Sequence, residues 1–258
     1  MSPHIRVTGA GPDLVLIHGW AMHGGIFAPL AELLEQHFRL HLVDLPGHGH
    51  SREFESGSLD PGRLASAIAA RTPPALWLGW SLGGLIALRA ALDIPNQVPG
   101  LIEVASSPRF VRDDDWPHAV SAGIFREFGS ALVEGFRPTI ERFLALETLG
   151  SAHAQEELRN LKAHVFERGE PSVDALQEGL DVLEAFDARG ELARLGMPSL
   201  WIAGRRDRLV TPASMRWAAT QCPSGEYLEL PSAHAPFLSD PDRVASAIMA
   251  FSDSLVPA

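Results

Sequence analysis

Short apolar runs without polar alternation recur along the first part of the chain, and each ends in glycine-rich or polar residues. Leu14 to Ile17, Leu40 to Val43 and Leu76 to Leu78 are such runs, and buried strands of a parallel sheet show this pattern. Stretches of helical periodicity lie between them, from Leu30 to His37 and from Leu59 to Arg71. The alternation of strand and helix predicts an α/β fold with a mostly parallel central sheet and helices on both faces.

Later segments extend this alternation towards the end of the chain. Three further strands are predicted, at Gly100 to Pro108, Met197 to Gly204 and Tyr227 to Leu230. Two more helices are predicted, at Leu85 to Leu92 and Asp240 to Leu255, because their apolar residues recur at helical spacing.

The alternation is interrupted after Pro108, where amphipathic helical stretches follow one another without a convincing strand. We therefore predict a helical lid insertion at 109–185, and an α/β core formed by 1–108 and 186–258. Within the insertion, apolar residues between Phe136 and Leu149 fall largely on one side of a helix, as expected for the core of the lid.

Charged residues of both signs are interleaved in the insertion, which favours a solvated face of mixed charge. The residues concerned are Arg137, Arg142, Arg159 and Lys162, with Glu141, Glu147, Glu156 and Glu157 between them.

Composition and charge narrow the class of protein. The 258 residues are 46% hydrophobic and 21% charged, which allows a substantial core, and the net charge of −11 excludes an overall basic surface for nucleic acid or an anionic membrane. The single cysteine, Cys222, excludes an internal disulfide. The chain shows no signal peptide, membrane-spanning run, phosphate-binding loop or dinucleotide fingerprint, so we expect a cytoplasmic protein without a cofactor or metal. We also expect it to be a monomer.

A Gly-x-Ser-x-Gly pentad is the candidate reactive centre. It runs from Gly79 to Gly83, with Ser81 at its middle, between a predicted strand and a predicted helix. A sharp strand-to-helix turn holds a nucleophile in strained backbone, and glycines two residues before and after it relieve the crowding. The pattern therefore predicts that Ser81 exposes its hydroxyl at the edge of the sheet.

A serine hydroxyl needs an adjacent base and an acceptor that orients this base. Ser81, Asp207 and His234 each follow a predicted strand, in the chain order of the α/β-hydrolase triad. Asp207 is preferred as the acid because it directly follows a clear strand. The alternatives in the second half of the chain are Asp181, Asp187 and Asp240.

The tetrahedral intermediate of acyl transfer requires hydrogen-bond donors for its oxyanion. The backbone N–H of Leu82, after the nucleophile, and that of Trp20, in an earlier strand-to-helix loop, are the expected donors. His18 is interpreted as a residue that packs this loop. His48 and His50 lack the further ligands of a metal site. Cys222 is interpreted as a small buried residue.

With these residues in place, the chain resembles the α/β-hydrolase superfamily over nearly its whole length. More closely, it resembles the pimeloyl-[acyl-carrier protein] methyl ester esterases of biotin synthesis. The segments that carry this likeness are His18 to Trp20, Leu40 to Gly47, Trp77 to Leu85, Val104 to Pro108, Glu141 to Leu146 and Ala233 to Phe237.

The resemblance implies hydrolysis of the methyl ester of a pimeloyl chain on its acyl-carrier protein, with release of methanol. It further implies that Trp20, Leu82 and Phe143 line the acyl channel. The lid cations that would dock the acidic carrier are Arg142, Arg159 and Lys162. Pro138 and Gln155 stand where the family can place arginine, which weakens the expected carrier contact.

Two other classes of function, another hydrolase activity or ligand binding without turnover, stay open from the sequence. The chain could be a short-chain carboxylesterase of broad specificity, acting on small esters, or a carbon-carbon bond hydrolase of the same fold, because fold does not define substrate. It could also be a ligand-binding protein that retains the hydrolase scaffold without turnover, since residue order does not show geometry.

Overall fold

A computed structural model describes residues 2–151 and 154–255, and all seven strands found there belong to one sheet. The spatial order of the strands is β1-β3-β2-β4-β5-β6-β7. Their bounds are β1 His4–Gly9, β2 Asp13–Ile17, β3 Arg39–Asp44, β4 Leu76–Trp80, β5 Leu101–Val104, β6 Ser199–Gly204 and β7 Gly225–Leu230.

The predicted mostly parallel sheet is confirmed, since every neighbouring pair except β1 with β3 is parallel. All five residues of β4 are buried, so both faces of the sheet are covered by other elements. Strand β1 was not predicted. Its signal in the sequence is an alternation in which Ile5 and Val7 lie between polar residues, although Ile5 is only partly buried and Val7 is 53% exposed in the structure.

Ten α-helices occur within the described part of the chain. Their bounds are α1 Ala28–Leu34, α2 Pro61–Ala69, α3 Leu82–Asp93, α4 Ala122–Glu134, α5 Phe136–Glu147, α6 Ala154–Val165, α7 Val173–Ala185, α8 Pro212–Gln221, α9 Pro236–Ser239 and α10 Pro241–Ser254. The five predicted helices correspond to α1, α2, α3, α5 and α10, with no end shifted by more than three residues. Proline occupies one of the first two positions of α1, α2 and α10, where its missing N–H costs no intrahelical bond.

Strand β5 is shorter than the segment predicted from the sequence. It ends at Val104 because Ala105 takes a positive φ of 44°, which breaks the extended backbone. Helices α4 to α7 follow β5 and precede β6. We refer to these four helices as the insertion helices; the boundaries 109–185 for the insertion stay a prediction.

The insertion helices are tied to the core by hydrogen bonds as well as by apolar contacts. Glu178 on α7 accepts hydrogen bonds from the backbone N–H groups of Gly57 and Leu59, each at 2.7 Å. The indole nitrogen of Trp20 donates to the carbonyl of Leu176 at 2.8 Å. No helix within the described ranges is long and apolar enough to cross a membrane.

Candidate active site

Ser81 lies at the tip of a sharp turn between β4 and α3. Its φ of 54° and ψ of −119° are strained for a residue with a side chain. A Cβ added at Gly79 would overlap the carbonyl of Gly83, and one added at Gly83 would overlap the carbonyl of Ile17. Both glycines of the pentad are therefore required by close backbone packing, as the sequence predicted.

The structure brings Ser81, His234 and Asp207 into one hydrogen-bonded row. The distance from His234 Nε2 to Ser81 Oγ is 2.9 Å, and that from His234 Nδ1 to Asp207 Oδ2 is 2.7 Å. The other carboxylate oxygen of Asp207 accepts the N–H groups of Leu209 and Val210 at 2.8 and 2.9 Å. This geometry allows Ser81 to act as a nucleophile, His234 as a general base and Asp207 as an orienting acid.

The three alternative acids contact other residues instead of His234. Asp187 pairs with Arg109 at 2.5 Å, Asp240 accepts the N–H of Arg243 at the start of α10, and Asp181 accepts from Gln177. Of the four carboxylates considered from the sequence, Asp207 is the one that reaches His234.

The surroundings of His234 adjust its affinity for a proton. Burial by itself lowers its pKa, but the charge and hydrogen bond of Asp207 raise the pKa above its ordinary value of 6.5. A raised pKa makes the imidazole a stronger base, which suits it to taking a proton from serine and returning it to an alcohol.

His18 holds the loop that carries the second expected oxyanion donor. Its Nε2 accepts the N–H of Leu45 at 2.9 Å, so its Nδ1 is the donor to the carbonyl of Gly19 at 2.8 Å. Burial, together with nearby His48, lowers the pKa of His18 to about 3 and keeps the ring neutral. His18 thus packs the loop, and it fixes the backbone leading into Trp20.

The loop before Trp20 lies directly against the nucleophile, since a Cβ placed on Gly19 would lie 3.2 Å from the Cβ of Ser81. Leu82 is the first residue of α3, and its N–H therefore has no intrahelical acceptor. Within the described residues, the N–H of Trp20 also has no acceptor. Two free backbone donors thus lie on the two segments that meet at Ser81.

The insertion helices cover this centre with apolar side chains. The rings of Trp20 and Phe143 are 4.6 Å apart, and the backbone of Gly179 packs against the side chains of Trp20 and Leu82. Ser81 is 1% exposed and His234 is fully buried. The three residues expected to contact an acyl chain therefore form one closed apolar cluster beside the nucleophile.

Glu147, at the C-terminal end of α5, is the main residue that sequence reasoning misplaced. The prediction of a solvated mixed face is wrong for Glu147 and Glu157, which are 2% and 5% exposed. Glu147 Oε1 lies 3.9 Å from His234 Nε2, and burial raises the pKa of Glu147 to about 8. A signal existed, because Glu147 follows Ile140, Phe143 and Leu144 at the helical spacing of the buried stripe.

Trp80, inside the pentad, has a positioning contact that the sequence did not reveal. Its indole nitrogen donates to the backbone carbonyl of His234 at 2.8 Å, and its ring packs against the imidazole. The strand before the nucleophile therefore also fixes the loop that carries the base.

The cations of the insertion helices differ in how far they are already neutralised. Arg142 pairs with Glu127 at 2.5 Å and Lys162 with Glu141 at 2.6 Å. Arg159 is exposed, and no carboxylate of the described chain lies within ion-pair distance of it. The mixed charge predicted from the sequence thus holds for these exposed pairs.

Comparison with known proteins gives a family and close relatives. The model of the alpha/beta hydrolase family matches residues 14–247. A protein of Stenotrophomonas maltophilia, named pimeloyl-[acyl-carrier protein] methyl ester esterase, is 57% identical over 256 residues, which cover 99% of this chain and 98% of that protein. A protein of Xanthomonas oryzae pv. oryzae with the same name is 55% identical over 249 residues, covering 96% and 98%.

Solved structures with low sequence identity share the fold. An esterase from Exiguobacterium antarcticum has a TM-score of 0.84 at 20% identity, covering 96% of this chain and 94% of its own. An enol-lactonase from Burkholderia xenovorans LB400 also has a TM-score of 0.84 at 20% identity, covering 97% and 96%. These likenesses extend over the insertion helices as well as the sheet.

Proposed function

Because this chain belongs to the alpha/beta hydrolase family, we propose that it is a serine carboxylesterase acting on the methyl ester of pimeloyl-[acyl-carrier protein]. The observation that carries the substrate is the 57% identity, over nearly the full length of both chains, to a relative named for this reaction. The products would be methanol and pimeloyl-[acyl-carrier protein] whose pimeloyl chain ends in a free carboxylate. This is the step of biotin synthesis that the sequence resemblance implied.

The reaction would proceed through an ester on Ser81. His234 Nε2 takes the hydroxyl proton of Ser81 while Oγ attacks the ester carbonyl, and Asp207 stabilises the imidazolium that forms. The carbonyl oxygen becomes an oxyanion that the N–H groups of Leu82 and Trp20 bind. When this intermediate collapses, the carbon-oxygen bond to the methoxy group breaks and the departing oxygen takes the proton from Nε2.

A water molecule would then repeat these steps on the acyl-enzyme. It loses a proton to Nε2 as it attacks, and Ser81 Oγ recovers that proton when the acyl bond breaks. Since Ser81 and His234 are buried beneath Trp20 and Phe143, an ester reaches them after the insertion helices move. The apolar cluster then contacts the methylene chain, and it excludes bulk water from the oxyanion.

Carrier docking is proposed for the exposed cations Arg142, Arg159 and Lys162. A chain of net charge −11 repels an acidic partner unless positive charge is concentrated where they meet. Arg159 supports this most directly, because Arg142 and Lys162 must exchange Glu127 and Glu141 for carboxylates of the carrier. Breaking the existing ion pair offsets part of the energy gained from the new one, so each exchange contributes only part of that energy to carrier binding.

The test measures methanol release from the carrier-linked methyl ester and from a small methyl pimelate ester. The proposal requires turnover of both, loss of both in Ser81→Ala, and restored growth of a biotin-requiring strain that lacks this esterase. Arg159→Glu should raise KM for the carrier-linked ester roughly fivefold or more while sparing the small ester. Arg63→Glu, an exposed charge reversal on α2, is the matched control.

Failure on the carrier-linked ester, with rapid turnover of small esters, would replace this proposal by a short-chain carboxylesterase of broad specificity. An inactive protein that still binds esters would favour the ligand-binding alternative.

A further inference from the structure

Glu147 is a buried carboxyl group beside the reacting atoms, and the proposed serine mechanism gives it no role. Its side chain is 1% exposed and its Oε1 lies 3.9 Å from His234 Nε2. Within residues 2–151 and 154–255, neither carboxyl oxygen has a hydrogen-bond partner. Burying an unpartnered carboxyl costs stability, so this group calls for a functional explanation.

The position of Glu147 relative to the base is fixed through the backbone. The N–H of His234 donates to the carbonyl of Glu147 at 3.1 Å, so the end of α5 and the loop of His234 are held together. The carboxyl therefore keeps its place beside Nε2 through a main-chain contact that does not depend on the carboxyl itself. A substitution of the side chain can therefore remove the carboxyl while this backbone contact is retained.

The 3.9 Å distance from Oε1 to Nε2 suits a single bridging water. If a water oxygen lies about 2.8 Å from both Oε1 and Nε2, the angle between these two atoms at the oxygen is about 90°. This is close to the angle between the two O–H bonds of water. In the resting enzyme Nε2 is occupied by the hydroxyl of Ser81. Once Ser81 is acylated that hydroxyl is gone, and Nε2 can accept a hydrogen bond from water.

We propose that Glu147 binds the hydrolytic water of the acyl-enzyme and selects it over methanol. This inference rests on the acyl-Ser81 intermediate of the proposed function. Water donates one O–H to Nε2 and the other to Glu147 Oε1. Methanol has a single O–H, and it would place its methyl group against the buried carboxyl, which would then lose the hydrogen bond that water gives it. The reverse reaction, methanolysis, is thereby disfavoured.

Hydrolysis of the acyl-enzyme by this water accounts for every bond and proton without a change in the protonation of Glu147. The water oxygen forms a bond to the acyl carbon, its first proton moves to Nε2, and its second proton stays on the oxygen while hydrogen-bonded to Oε1. The bond from the acyl carbon to Ser81 Oγ then breaks, and Oγ takes the proton from Nε2. Burial raises the pKa of Glu147 to about 8, so near neutral pH it offers an acceptor oxygen with little negative charge.

The experiment measures how the acyl-enzyme divides between water and added methanol. The enzyme is acylated with a p-nitrophenyl ester of a short acyl chain, and the carboxylic acid and methyl ester formed are quantified together. Glu147→Leu should raise the ratio of methyl ester to acid roughly three- to tenfold, the effect expected of one hydrogen bond. Glu147→Gln retains an acceptor oxygen and should stay within about twofold of the unmodified protein.

The ratio compares two fates of one intermediate, so the fraction of folded enzyme does not affect it. Glu134→Gln, exposed on α4, is the matched control for loss of a carboxyl group. Glu147→Met provides a second apolar variant if the leucine variant does not fold. An unchanged ratio in the apolar variants, or an equal change in Glu147→Gln, would overturn the inference.

Failure of the proposed function gives a different result. Lack of activity on the carrier-linked ester leaves this assay intact, because the assay uses a small ester. Absence of any acyl-enzyme, seen as no burst of p-nitrophenol and no label on Ser81 from a phosphonate, would instead contradict the serine mechanism itself and remove the basis of the inference.

Discussion

Replacing Glu147 by glutamine should stabilise the fold, and the gain should increase as the pH rises. The carboxyl has a pKa of 4.5 as an isolated group, and burial raises the pKa to about 8 in the folded protein. Between these values the unfolded chain gives up the proton while the folded chain keeps it, so rising pH favours unfolding. A glutamine side chain does not ionise in this range, so the Glu147→Gln variant does not lose stability in this way as the pH rises.

The size of the effect follows from the difference between the two pKa values. One pKa unit corresponds to about 1.4 kcal/mol, so complete ionisation of Glu147 costs the fold on the order of 5 kcal/mol. Part of this cost is already present near pH 6. From about pH 6 to about pH 9, the stability gap between the variant and the unmodified protein should widen by about 2 to 3 kcal/mol. For a chain of this length, that gap is roughly 4 to 12 °C in Tm.

The assay is thermal unfolding of both proteins at a series of pH values, checked by urea unfolding at the two ends of the range. Glu134→Gln serves as the control for loss of an exposed charge and should keep a constant offset. Charged neighbours of Glu147 contribute to the measured curve, and the relevant ones are His234 and Asp207. A gap for Glu147→Gln that stays constant from about pH 6 to pH 9 would refute the reasoning.

Three further predictions concern the base, the nucleophile turn and the insertion helices. Asp207→Asn should lower kcat on the order of 10⁴-fold and move the acid limb of kcat/KM to lower pH, because the aspartate raises the pKa of His234; a pH-rate profile measures both. Gly83→Ala should destabilise the fold by about 1 to 3 kcal/mol in urea unfolding, whereas Gly190→Ala, with open space around it, should not. Glu178→Ala should speed hydrogen exchange of α7 roughly tenfold or more, since two charge-assisted hydrogen bonds to the core are lost.

Each of these has an outcome that would contradict it. An acid limb that stays in place in Asp207→Asn would mean that Asp207 does not set the proton affinity of His234. Equal stability of the two glycine variants would remove the steric argument for the pentad. Exchange of α7 that is unchanged in Glu178→Ala would show that apolar contacts alone hold this helix.

Those parts of the fold that depend on burial were readable from the sequence. The central strands are buried on both faces, so they are continuous apolar runs, and β2, β3, β4 and β6 were found within two residues of their ends. Strand β1 was missed because an edge strand of mixed composition resembles a loop. The end of β5 was misjudged because the sequence gives no sign that Ala105 adopts a positive φ.

In the candidate site, too, some residues could be predicted from the sequence and others could not. Ser81, Asp207 and His234 were identified because each follows a strand of a parallel sheet, and the topology places such positions at one edge. Glu147 was misread because charge was taken as a sign of exposure. Its place in the apolar stripe of α5 predicts burial, but no rule based on spacing states that a stripe position lies beside His234.

Three unusual groups of this protein lie close together, where α5, the loop of His234 and the turn at Ser81 meet. Ser81 has a positive φ, Glu147 is buried without a partner, and His234 is buried with a raised pKa. Ser81 and Glu147 cost stability, and both are held by contacts that do not involve the costly group: the helix α3 and the backbone bond from His234 to Glu147. The imidazole of His234 is held directly by the carboxylate of Asp207. Local rules of packing fail mainly at sites where function requires it. That pattern predicts that an apolar residue in place of Glu147 will raise stability or leave it unchanged while lowering the selectivity of ester hydrolysis, whereas Glu147→Gln raises stability and retains the selectivity.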